Sequence, residues 1–279
     1  MTTVGFIYPG HAAEDDYPLA ERMLGDVRLI VEHIYGQDLH AIAELMDLGS
    51  REKLALGGQR LRRHDPDAVV WACTSGSFVY GWDGARRQAA WLSEAAGVPA
   101  SSTSFGFVNA AHAVGARRVA VAASYPEPVA ERFVEFLQAG SVRVVALSSR
   151  GIPTAAEVGR LSPSAVTQLI LGNDHPDAEA LLVPDTAMRT FGLVSEMERR
   201  LGKPVLTANQ VTVWEGLRLA GHAAVTRSAD QHGPDQAAGV RQVARTWQDA
   251  GTLFGTPAGA VSVPAVSPPT HVREGSAWQ

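Results

Sequence analysis

Ala68-Val69-Val70-Trp71-Ala72, followed at once by Cys73-Thr74-Ser75-Gly76-Ser77, decides the fold class of this chain. The first five residues are an uninterrupted apolar run, the pattern of a strand buried on both faces in a parallel sheet. The next five are small, hydroxylated and glycine-containing, and a helix-like stretch follows from about Asp83. Strand, small-residue turn and helix make the repeating unit of an α/β protein, in which ligands bind at the carboxyl ends of strands. Cys73, the only cysteine, stands at such an end. It reads in two ways: as a reactive thiol held as thiolate by free backbone N–H groups, or as one more small buried apolar side chain.

The chain echoes itself. Val4-Gly5-Phe6-Ile7-Tyr8-Pro9 is a strand ending in Tyr-Pro, and Val119 to Pro126 repeats that form with Tyr125-Pro126. Cys73-Thr74 closes a strand in the first half. Ala180-Leu181-Leu182-Val183-Pro184 is its counterpart, closed by Asp185-Thr186. Gly97-Val98-Pro99 and Gly202-Lys203-Pro204 follow a helix in each half, and helical stretches then end near Gly115 and Gly221. Landmarks repeated in the same order imply two similar lobes related by a pseudo-twofold axis, with Cys73 and Asp185 facing each other across the cleft.

Further along, Val27 to Val31 and Val142 to Leu147 read as strands. Ser50 to Arg63 reads as a helix with Ser50 as N-cap, and Ser162 to Gly172 as a helix with Pro163 in its first position. Alternating elements of this kind predict an α/β fold of two pseudo-symmetric lobes, each a mostly parallel sheet flanked by helices, with the active site between them. The expected organisation is a first lobe at 1–115, a second at 116–220, a helical segment at 221–255 packing on the lobes, and a disordered tail at 256–279, where proline and small residues take over.

Composition excludes several classes. Of 279 residues, 46% are hydrophobic and 19% charged, with a formal net charge of −5, the profile of a globular chain. No basic stripe with interleaved aromatics points to nucleic acid, and no apolar run approaches the roughly 20 residues that span a membrane. A single cysteine rules out an internal disulfide framework, and the N-terminus enters a strand without a signal core. The cytoplasm is the expected location.

No dinucleotide-binding G-x-G-x-x-G or Walker motif occurs, so no cofactor is expected. The nine histidines form no H-x-x-x-H or H-E-x-x-H pair, so no metal is expected, although distant ligands could still converge. Ser75 and Ser77 lack the G-x-S-x-G context of a hydrolase nucleophile. Asp174-His175 offers a histidine that could approach Cys73, or simply a solvated loop. Tyr125, Thr74, Ser75 and Thr186 read either as turn and cap residues or as donors to a substrate oxygen. Arg189 reads as a carboxylate clamp or as an exposed helix residue.

These stretches resemble the aspartate/glutamate racemase superfamily, in its maleate cis-trans isomerase and arylmalonate decarboxylase branches. The matching segments are Tyr8-Pro9, Trp71 to Phe78, Val119 to Pro126, Leu182 to Thr186, Glu198 to Val205 and Trp214 to Gly221. The resemblance implies a cofactor-independent isomerase or racemase of a small carboxylic acid, with a catalytic cysteine and no nucleic-acid or membrane partner. It leaves open an arylmalonate-type decarboxylase, a non-catalytic carboxylate-binding paralogue, and a homo-oligomer. It makes Cys73 a nucleophile or proton-transfer group opposite Asp185, and Pro9, Thr74, Ser75, Tyr125 and Thr186 the substrate pocket. Racemases and maleate isomerases carry a cysteine from each lobe; arylmalonate decarboxylases carry glycine at the first position and cysteine at the second. This chain has Cys73 at the first and Asp185 at the second. A thiolate facing a carboxylate is a like-charge pair, in which one member tends to keep its proton. A charged Asp185 would also repel a plain dicarboxylate and suit an amine or ring nitrogen better.

Overall fold

The computed structural model describes residues 1–222 and 251–255. Most of the helical segment expected at 221–255 and all of the tail expected at 256–279 lie outside these residues; a helical turn spans Thr252–Gly255.

The first half runs β1 (Thr2–Pro9), α1 (Asp16–Leu24), β2 (Val27–Ile34), α2 (Ile42–Leu48), α3 (Arg51–Arg62), β3 (Ala68–Trp71), α4 (Ser75–Phe78), α5 (Gly81–Ala96), β4 (Ala100–Ser102) and α6 (Thr103–Ala113). The second runs β5 (Arg118–Ala123), α7 (Glu127–Ala139), β6 (Arg143–Ser149), α8 (Ala155–Gly159), α9 (Pro163–Leu171), β7 (Ala180–Val183), α10 (Val194–Leu201), β8 (Val205–Thr207) and α11 (Ala208–Leu219). The sheets have the same order, β2-β1-β3-β4 and β6-β5-β7-β8, and every pairing is parallel. The two pseudo-symmetric lobes expected from the internal echo are therefore present.

Period-two alternation divides each sheet between two cores. Val4, Phe6 and Val70 of the first sheet, and Val119, Val121, Leu182 and Leu206 of the second, face a shared central cluster. Ile7, Val69 and Trp71 point the other way, to Leu54 and Leu61 of α3 and Leu92 of α5. Ala120, Leu181, Val183 and Val205 likewise meet Val166, Leu169 and Ile170 of α9 and Met197 of α10. Because both faces are covered, the strands carry apolar runs instead of alternating polar positions. Local signals behave as expected: Ser162 accepts a hydrogen bond from Ala165 N at 3.2 Å with Pro163 next to it, and Gly97 and Gly202 end α5 and α10 in left-handed conformations.

One helix crosses between the halves. α11 belongs to the second half in sequence but packs on β1, β3 and β4 of the first sheet and against α6. Gly216 makes this approach feasible, since a Cβ there would lie 2.4 Å from Val4 Cγ1. Next to it, the fully buried Glu215 accepts from Ser101 Oγ (2.7 Å) and Asn109 Nδ2 (3.1 and 3.2 Å), and from Arg218 Nε and Nη2 (both 2.8 Å).

Gly216→Ala should lower the unfolding free energy by about 1–3 kcal/mol, the usual cost of forcing extra volume into a packed core. Urea denaturation of wild type and variant measures it.

Candidate active site

The two central strands end side by side and place the chemistry. Beyond β3, Ala72 N–H donates to Ile7 O at 2.8 Å, and the chain turns at Cys73 into α4. The Cys73 sulfur accepts from Gly76 N at 3.2 Å and lies 3.7 Å from Ser75 Oγ. Glycine is needed at 76, because a Cβ there would sit 2.9 Å from the Trp71 ring and 3.1 Å from the sulfur. Beyond β7, Asp185 occupies the equivalent position. Its Oδ1 accepts from Ala187 N at 2.9 Å, closing a tight turn, and its Oδ2 accepts a close hydrogen bond from Ser124 Oγ. Tyr125 OH donates to Pro184 O, and Tyr8 OH donates across the lobes to Thr186 O at 2.7 Å. Asn209 of α11 reaches the same Thr186 carbonyl at 3.2 Å.

Cys73 and Asp185 both line one cavity of about 150 Å³ between the lobes, together with Pro9, Ser75 and Thr186. Thr74 and Tyr125 are buried beside this wall and do not form it. Thr74 Oγ1 is buried against the Tyr125 phenol. Burial, reinforced by the charges of Asp185 and Cys73, holds the Tyr125 phenol well above its ordinary pKa. The structure keeps other candidates away. Arg189 Nε pairs with both oxygens of Asp15 at 2.8–2.9 Å, and its Nη1 donates to Gly159 O. His175 Nδ1 accepts from Asp177 N at 3.2 Å, and Asp174 pairs with Lys203 at 2.7 Å, so no Cys–His pair forms with this histidine.

Other residues of the site carried no motif. The outer wall includes Asp38 and His40 from the connection between β2 and α2. This connection is tied to the second lobe: Asp38 accepts from Ala155 N (2.8 Å) and Ala156 N (3.0 Å), while His40 N donates to Pro153 O (2.7 Å). His40 Nδ1 also meets Ile152 O at 3.0 Å and, because a carbonyl only accepts, must carry the proton. No lysine or arginine lines the cavity among the described residues. Ser124 adjoins Tyr125 in sequence, and that adjacency was its one available signal.

Electrostatics set the protonation of the thiol. Burial pushes Cys73 up to about 11 and the charge of Asp185 adds to this, while the Gly76 N–H and the Ser75 hydroxyl act the other way. So placed, the thiol is protonated at neutral pH, which differs from the thiolate suggested by its place beside backbone N–H groups. Desolvation is the largest influence and outweighs the donors; the like charge of Asp185 is a smaller addition in the same direction.

The fold and this pair of strand ends define a cofactor-independent α/β enzyme of the racemase, isomerase and decarboxylase type. The arylmalonate decarboxylase family model matches residues 18–232, and the chain belongs to that family. Arylmalonate decarboxylase of Bordetella bronchiseptica is 30% identical over 201 residues, 68% of this chain and 84% of that protein. Maleate isomerase of Geobacillus stearothermophilus is 26% identical over 121 residues, 43% of this chain and 48% of that protein. Among solved structures, the liganded form of a double variant of arylmalonate decarboxylase superposes with a TM-score of 0.71 at 27% identity. It covers 82% of this chain and 96% of that one. In that variant a glycine is replaced by cysteine and a cysteine by serine. The expected superfamily branch and fold class are thus borne out.

Asp185→Asn should lower the Cys73 pKa from about 11, because it removes the like charge. Cys73 is the only thiol, so thiolate absorbance against pH, taken as the difference from the matching Cys73→Ser protein to remove the tyrosinate background, reads this. An unchanged midpoint would mean the two groups do not sense each other.

Proposed function

We propose that this enzyme is a cofactor-independent isomerase of a small carboxylic acid, working by proton transfer at the carbon next to the carboxylate. The observation that carries this reading is that Cys73 and Asp185, from equivalent ends of β3 and β7, line the same cavity. An acid and a base presented from opposite lobes suit removal of a proton from one face of a carbon and its return on the other.

Asp185 takes the α-proton, and its two hydrogen bonds from Ser124 and Ala187 keep the carboxylate oriented. The electron pair left on carbon spreads into the substrate carboxylate as an enediolate. The hydroxyls of Ser75 and Thr186 in the wall stabilise that charge, and Pro9 shapes the pocket; Tyr125, whose OH donates to Pro184 O, and Thr74 back this wall without donating to the substrate. The Cys73 thiol then gives its proton to the opposite face, leaving a thiolate and a protonated Asp185. Proton exchange with water, or the reverse reaction, restores the starting state. A thiol held near 11 suits this donor role better than direct addition to a double bond, which needs a standing thiolate. A substrate with an amine or ring nitrogen suits a cavity wall with aspartates and, among the described residues, no lysine or arginine better than a dicarboxylate does.

A second reading is favoured by the family match and by the same protonated thiol. In a decarboxylase, loss of carbon dioxide from a substituted malonate leaves an equivalent enediolate, which Cys73 protonates. Both readings keep the enzyme in the cytoplasm, where a single thiol stays reduced, and allow a homo-oligomer.

Incubation in deuterated water with a panel of small carboxylic acids tests the proposal. Isomerase action predicts deuterium at the α-carbon with the carbon skeleton intact; decarboxylase action predicts carbon dioxide release with one deuterium in the product. Neither outcome across the panel, with binding retained, would reduce the protein to a carboxylate-binding role. Cys73→Ser should lower turnover by roughly 10²–10⁴-fold, the usual loss for a general acid, with the fold intact by circular dichroism. Unchanged turnover would remove Cys73 from the mechanism.

A further inference from the structure

Outside the Cys73–Asp185 pair, the structure brings together three side chains that no sequence motif linked. His11 and Glu14 lie on the connection between β1 and α1, and His33 lies near the end of β2. One ring nitrogen of each histidine and one carboxylate oxygen of Glu14 lie within 4.8 Å of one another. We propose that His11, Glu14 and His33 form a binding site for a single transition-metal dication of the Zn²⁺ class, at the mouth of the cavity and separate from the catalytic pair.

The surrounding hydrogen bonds hold His33 and Glu14 in place, and the His11 ring stacks on that of His33 with centroids 4.1 Å apart, so His11 must turn about its side-chain torsions to share an ion with them. His33 Nδ1 lies 2.6 Å from Gly10 O. That carbonyl only accepts, so Nδ1 carries the proton and Nε2 keeps its lone pair; such a second bond commonly fixes the tautomer of a metal-binding histidine. Glu14 Oε2 accepts from Ala12 N at 2.8 Å, while Oε1 lies 2.8 Å from His11 Nδ1. The backbone beneath is rigid: Tyr8 pairs with His33 in the β1–β2 register, and Gly10 N donates to Ile34 O at 2.9 Å.

Two imidazoles and one carboxylate are a common donor set for zinc, and they leave a fourth position for water or a ligand. Metal bonds of about 2.0–2.1 Å require ligand atoms to close to roughly 3.3 Å of one another. The motion needed is a side-chain adjustment, because the His11 and Glu14 side chains are 60% and 30% exposed. Two existing contacts of His11 would yield: the approach of Nδ1 to Glu14, and that of Nε2 to Tyr35 OH at 3.2 Å. His11 also lines the cavity, so an ion held here would add positive charge to a wall that has no lysine or arginine among the described residues.

The test does not depend on turnover, so it stands or falls apart from the proton-transfer reading. Full-length protein is stripped with chelator and titrated with Co²⁺, following heat and visible absorption. The expected result is one ion per chain with a tetrahedral-type spectrum, binding at least ten-fold weaker in His33→Ala and in Glu14→Gln, and unchanged binding in Cys73→Ala. Near-ultraviolet circular dichroism checks that each variant is folded. No saturable binding, equal affinity in the folded His33 and Glu14 variants, or loss of binding only in Cys73→Ala would each overturn the site.

Discussion

The placement of the two strand ends depends on the crossing of α6 and α11. Each lobe has a parallel sheet with a large apolar face turned to the central cluster. The second half lends α11 to the first sheet, where Gly216 brings its backbone against Val4 and Val70. The buried Glu215 then ties α11 to Ser101 of β4, to Asn109 of α6 and to Arg218 one turn on. A buried carboxylate is tolerated when its oxygens are fully partnered and an opposite charge is close, as here. The same helix carries Asn209, which reaches Asp16 and the carbonyl of Thr186. The contact that closes the core therefore also fixes the loop holding Asp185.

The pseudo-twofold arrangement sets up a symmetric cleft, and the residues in it break the symmetry chemically. Equivalent strand ends hold a thiol on one side and a carboxyl on the other. The thiol is surrounded by Trp71 and other apolar groups and receives one backbone donor, so burial dominates and its proton stays on. The carboxyl is held by a hydroxyl and a backbone N–H. Opposite environments at equivalent positions are what the proposed two-sided proton transfer requires of its donor and acceptor. The outer wall is a joint structure as well. Asp38 accepts from the first two N–H groups of α8 in the second lobe and His40 bonds to the connection before it, so the pocket is shaped by how the lobes sit on each other.

Much of this was legible in the residues themselves. Apolar runs at Ala68–Ala72 and Ala180–Val183, the repeated Tyr-Pro turns and the glycine landmarks mark the α/β alternation and its repetition, because local pattern and turn chemistry carry those signals. Sequence reasoning also brought out Cys73 and Asp185 as equivalent positions. It did not reach His40, Asp38, Ser124 or the His11–Glu14–His33 cluster, whose partners lie between 3 and 118 residues away and follow no fixed spacing. The protonation of Cys73 was equally out of reach. Neighbouring N–H groups are visible in a sequence, but the competing desolvation and the charge across the cleft exist only once the lobes are packed. Local pattern along the chain sets which strands and turns form and which residues stand at their ends. What those residues face is settled by packing, because pKa, ligand convergence and cavity shape come from distances between segments that the chain order does not set.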